Sequence, residues 1–142
     1  MTSRYTNPPC PISRDVVEQL PWLVRDLGFR KLEEHFDPTA NFGNSYVTFN
    51  AGCINVQFAR DKGEVLSRVA SCHCPARWYI LGQVCEFISG HREDASTLGE
   101  LGALIRDNLE NIQIALGPNF EKNKPLLEEF ETRRFKEHWD KL

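Results

Sequence analysis

The longest uninterrupted apolar run in this chain is four residues, Trp78 to Leu81. That is far short of the ~20 apolar residues an α-helix needs to cross a bilayer. The opening Met1-Thr2-Ser3-Arg4-Tyr5 has no apolar signal-peptide core, so the expected location is cytoplasmic and no membrane partner is expected. Concentrated positive charge is missing too: 17 Lys and Arg stand against 20 Asp and Glu, for a net charge of −3. Binding phosphates requires a dense positive field, and no nucleic acid is expected as a partner. The cysteine count is five, an odd number in a chain with ample core-forming residues. It does not describe a disulfide framework, and most of the thiols read as small buried hydrophobes in a reducing compartment. A phosphate-cradling loop is absent as well. Gly99 and Gly102 sit inside an apolar helical stretch without the glycine-rich turn and lysine such a loop needs, and they read as places of close helix packing.

What the chain does have is the composition of a folded domain. Its 142 residues are 41% hydrophobic and 11% aromatic, enough apolar surface for one ordinary core and short for two. The stretch Asn7-Pro8-Pro9-Cys10-Pro11 removes backbone donors, and an irregular arm is expected over residues 1–14, followed by a single domain over 15–142.

From Asp15 the apolar positions Val16, Leu20, Leu23 and Leu27 recur at helical spacing, with Pro21 as a kink or restart and Gly28 as the stop. Phe29–Phe36 reads as a heavily charged strand, suited to a sheet edge, and residues 37–44 as a loop. Tyr46–Phe49 alternates, and Asn50-Ala51-Gly52 turns into Ile54, Val56 and Phe58, which share one face opposite Asn55 and Gln57. Asp61-Lys62-Gly63 fits a three-residue hairpin loop with Gly63 at a positive φ, leading to a strand over Val65–Ala70. A second helix is expected through Trp78, Leu81, Val84, Cys85 and Ile88, closed by Gly90. The Thr97/Glu100 pair is a capping box for a third helix, whose stripe runs from Leu98 to Leu116 before Gly117-Pro118. A fourth helix follows Lys124-Pro125, with Leu127, Phe130, Phe135 and Trp139 as its apolar contacts. The order α-β-β-β-β-α-α-α makes this an α+β fold, an antiparallel four-stranded meander with helices packed on one face. The expected core includes Val47, Phe49, Ile54, Val56, Phe58 and Leu81. The opposite sheet face would display Tyr46, Thr48, Asn55 and Gln57.

Chemistry is sparse. Cys72-His73-Cys74-Pro75 brings two thiols and an imidazole together, and Cys53, Cys85, His35 or His91 would have to complete a zinc site through the fold. The spacing lacks the two-to-four-residue gap and the second pair of a structural zinc site, so no metal and no cofactor is expected. The same three residues, Cys72, His73 and Cys74, are the basis of a minor alternative, a small metal- or thiol-dependent enzyme. The four histidines form no nucleophile–base motif, and adjacent carboxylates such as Glu33/Glu34 point to opposite faces of a strand. No catalytic residue is assigned.

Four segments together resemble a known group: Trp22-Leu23 with Gly28-Phe29, Phe42 to Val47, Ile54 to Gly63, and Trp78 to Val84. This pattern, across residues 15–90, is similar to small bacterial α+β proteins that include the immunity-type proteins encoded beside polymorphic toxins. The resemblance implies a cytoplasmic, non-catalytic protein-binding module that neutralises a partner toxin; the alternative is a subunit of a larger bacterial assembly. Aromatic and arginine side chains dominate interface energies, so Tyr46 and Arg68 on or beside the polar sheet face are the leading contact residues, with Asn44 and Asp61 at the rim.

Overall fold

The computed structural model describes residues 10–39 and 44–140. Helix α1 (Pro11–Gln19) opens with a proline in its first turn, where the missing N–H has no intrahelical acceptor to lose. The irregular conformation expected over residues 1–14 does not hold from Pro11 onward. Ile12 and Ser13 are already buried in helix, while residues 1–9 lie outside the described residues. Pro21 does interrupt the helical run, and the chain restarts as the single turn α2 (Trp22–Arg25). Gly28, at φ 71°, ends that turn.

Five strands follow: β1 (Arg30–Phe36), β2 (Ser45–Ala51), β3 (Ile54–Asp61), β4 (Glu64–Ser71) and β5 (Tyr79–Ile80). They form one antiparallel sheet in the order β1-β2-β3-β4-β5. The α+β meander is as expected, with one strand more. Trp78, Tyr79 and Ile80, expected in a helix, lie outside one; Tyr79 and Ile80 form β5 and pair with Val69 and Arg68. A short apolar run carries no period that separates strand from helix, and its aromatic and β-branched residues favour the strand.

Two tight turns set the register. Ala51 pairs with Ile54 across Gly52-Cys53, with Gly52 at φ 70°. Asp61 pairs with Glu64, so the loop is the two residues Lys62-Gly63 rather than three, and both take positive φ, 53° and 81°. That is the turn whose twist matches two right-twisted strands. The resulting phase buries Val47, Phe49, Ile54, Val56 and Phe58 on the helix side, each at 1% exposure or less.

The remaining helices are α3 (Leu81–Ser89), α4 (Leu98–Leu116) and α5 (Phe120–Asp140). Helix α1 packs on β2 and β3, α4 on β3 and β4, and α5 against α3 and α4. The capping box is formed: the Glu100 N–H donates to Thr97 Oγ1 at 3.1 Å, and the Thr97 N–H donates to Glu100 Oε1 at 3.1 Å. Helix α5 starts at Phe120, ahead of Pro125, which lies inside it. Phe120 and Leu127 are buried, but Phe135 and Trp139 stand 64% and 58% exposed instead of packing as expected. The distal turns of α5 run past the edge of the core, so Phe135 and Trp139 find little among the described residues to cover them.

Close packing at the two helical glycines is half right. A Cβ on Gly102 would come within 2.6 Å of Leu20 Cδ2, whereas Gly99 has open space around it. Gly99→Ala is expected to raise stability by about 0.5–1 kcal/mol through helix propensity and unfolded-state entropy. Gly102→Ala is expected to lower it by about 1–3 kcal/mol through overpacking against the buried Leu20, both read by urea denaturation. The capping box also predicts a pH dependence. Hydrogen bonds from the backbone of Ser96 and Thr97 hold the Glu100 carboxyl below its usual 4.5. A depressed folded pKa gives stability that is present above the unfolded value and is lost as pH falls through the folded one. Melting temperatures of wild type and Glu100→Gln should therefore converge as the pH is taken below about 4.

Candidate functional site

The phase that buries Ile54, Val56 and Phe58 leaves Asn55, Gln57 and Ala59 on the opposite face. Cross-strand register places their neighbours. Glu33, Thr48, Gln57, Arg68 and Ile80 lie in one row across five strands. His35, Tyr46, Ala59 and Leu66 make the adjoining row, and Asn50, Asn55 and Ala70 the row on the other side.

The central row is not displayed as the alternation implied: Thr48 and Gln57 are only 3% and 4% exposed. Their polarity is satisfied within the row. Gln57 Nε2 donates to Thr48 Oγ1 at 3.1 Å, and Arg68 Nε donates to Gln57 Oε1 at 2.6 Å. The Arg68 guanidinium also lies 5.1 Å from the Trp78 ring centroid, a cation–π contact that fixes its plane. Beyond it, Ile80 is 57% exposed.

In the adjoining row the His35 and Tyr46 rings stack at 5.3 Å, and Leu66 is 37% exposed. In the third, Asn50 Nδ2 donates to Asn55 Oδ1 at 3.0 Å. The face is thus a set of interlocked polar side chains with an apolar rim at Leu66 and Ile80.

All four residues singled out from the sequence fall on or beside this surface. Tyr46 and Arg68 occupy neighbouring rows. Asn44 accepts a hydrogen bond from the Lys62 N–H at 3.0 Å, which joins the loop before β2 to the β3–β4 turn. Asp61 is exposed at that turn. The sequence reading missed His35 and Trp78. His35 was legible, two residues from Glu33 in a strand whose outward phase was already implied; Trp78 was hidden by its assignment to a helix.

The Cys72-His73-Cys74 segment forms the turn after β4, with the Cys74 N–H bonded to the Ser71 carbonyl at 3.0 Å. Cys72 and His73 are exposed, and Asn50 Nδ2 lies 3.5 Å from Cys72 Sγ. Cys53 Sγ instead donates to the Gln113 carbonyl of α4 at 3.1 Å. Among the described residues no three His, Cys, Asp or Glu side chains gather as a metal-holding group. No helix among them is long and apolar enough to cross a membrane. No family model matches the chain, and comparison with curated proteins and with solved structures gives no match.

The thiols separate by environment. Burial pushes the Cys85 thiol up to about 12, whereas Cys72 is exposed and raised less, by desolvation and then by Cys53 nearby. Thiolate is the reactive form. A disulfide reagent at pH about 8 is expected to label Cys72 in the folded protein and Cys85 only after unfolding, as read by peptide mass spectrometry.

Proposed function

We propose that this chain is a non-catalytic protein-binding module of the immunity type, which neutralises a partner toxin by covering it with the open face of the sheet. The observation that carries the reading is the hydrogen-bonded row Thr48–Gln57–Arg68, with the Trp78 ring against its arginine. Its arginine is held by a 2.6 Å hydrogen bond and an aromatic ring before any partner arrives. Arginine, tyrosine and tryptophan dominate interface energies, and side chains fixed in advance lose less entropy on binding. The row lies beside Tyr46 and next to the exposed apolar Leu66 and Ile80, a mixture of anchors and polar groups that suits a protein surface. Five strands give a face of about 20 by 25 Å. A standard interface takes about 800 Å² from each partner, so Asn44, Asp61 and their turns serve as rim.

A second reading, a subunit of a larger assembly, has its own support. Phe135 and Trp139 project from α5 with ring centroids 5.9 Å apart, both more than half exposed. In that case α5 rather than the sheet is the docking element.

The test is a binding titration against a protein that co-purifies with this chain, with folding checked by circular dichroism. Tyr46→Ala and Arg68→Ala are each expected to weaken binding by about 2 kcal/mol, roughly thirtyfold. Unchanged affinity in both, with loss on Trp139→Ala, moves the interface to α5. Turnover of a small molecule by the isolated chain, abolished by a single substitution, defeats the binding-module reading.

A further inference from the structure

The sheet has two edges, and they are unequal. β1 is bulged between Lys31 and Glu33 and carries charged side chains along its length, which blunts it against further pairing. β4 is covered by β5 only at Arg68 and Val69, so its first half, Glu64 to Ser67, is paired with β3 alone. The two-residue turn makes Asp61 and Glu64 a hydrogen-bonded pair, and alternation then turns the N–H and C=O of Val65 away from β3.

That open half-edge forms one wall of a cleft of about 820 Å³, whose other walls are α3, the segment before α4, and the distal turns of α5. Val65, Leu101, Leu104 and Phe135 give the cleft apolar surface. The lining charge is unbalanced: five carboxylates stand against two guanidiniums. Arg134 is shared between Glu86 and Glu137, Arg92 pairs with Asp94 and Glu131 with Arg77, which leaves Glu93 with no ion pair among the described residues.

We infer that this cleft takes an extended peptide segment with basic side chains, which adds to the free half of β4 as a further strand. A peptide backbone supplies an acceptor and a donor at every residue, which is what the outward N–H and C=O of Val65 call for. Main-chain pairing along a strand edge with side chains in flanking pockets is an established mode of peptide capture. The excess of carboxylates selects Lys or Arg over Asp or Glu. The cleft reaches Leu66 and Ile80 at the rim of the polar sheet face but none of Tyr46, Gln57 and Arg68, so the inference does not depend on the reading of that face.

The test uses the full chain and an acetylated, amidated heptapeptide in which Lys alternates with Val, followed by fluorescence anisotropy. Saturable binding is expected, weakened about tenfold or more when Glu replaces Lys or when salt is raised, as charge complementarity requires. Methylating alternate peptide nitrogens, which leaves the protein untouched, is expected to abolish it. Val65→Pro removes a donor that does not serve the β3–β4 ladder and should weaken binding about tenfold or more, with circular dichroism unchanged. Tyr46→Ala should leave it intact. Equal binding of the methylated peptide, equal binding of the Lys and Glu peptides, or no saturation at millimolar peptide overturns the inference; loss on Tyr46→Ala reassigns the peptide to the sheet face.

Discussion

The register of β3 is the constraint on which the rest depends. Both of its ends are fixed by two-residue turns, one with Gly52 at φ 70° and one with Lys62 and Gly63 at 53° and 81°. A slip of one residue would carry Ile54, Val56 and Phe58 to the solvent side and bring Asn55 and Gln57 into the core. Every other element is placed by that choice. The helices collect on the face that β3 makes apolar, and the polar rows form on the face it leaves.

The outer face shows how polar residues behave when a sheet is broad enough. Thr48 and Gln57 are as buried as core residues although they lie on the face opposite Ile54, Val56 and Phe58, and they remain polar because their hydrogen bonds are made within the row. Burial of an amide without partners costs on the order of 1–3 kcal/mol, and a complete chain of hydrogen bonds removes that penalty. The same chain fixes Arg68. Stability and readiness for contact are here properties of one set of bonds, so a substitution at Gln57 would disturb both the fold and the surface.

Much of this was legible in the sequence. The alternation of β3 located the core to the residue, and the Thr97/Glu100 pair marked the start of α4 because a capping box is a local signal with one geometric meaning. The failures have a common cause: signals that are local in sequence but decided by tertiary context. Tyr79 and Ile80 joined the sheet because an edge of β4 was there to receive them. Pro125 did not open a helix, because Phe120 had already been fixed in the core ahead of it. Phe135 and Trp139 have helical spacing, yet spacing cannot say whether a neighbour exists. For the site, Tyr46 and Arg68 could be assigned to a face, but their setting could not: the stacking on His35 and Trp78 joins residues 11 and 10 positions apart, and no pattern along the chain encodes it.

The close approach of Leu20 to Gly102 bears on how this sequence can drift. The two positions belong to different elements and share one parcel of space, in a core that has the density of an organic crystal. A methyl group gained at 102 alone crowds Leu20, at a cost of about 1–3 kcal/mol. A chain that acquires alanine at 102 is relieved by a smaller residue 20, and a chain that has shrunk residue 20 is left with a void that favours growth at 102. Among descendants of this sequence the two sites would therefore change as a linked pair, with their summed volume held constant while their identities vary.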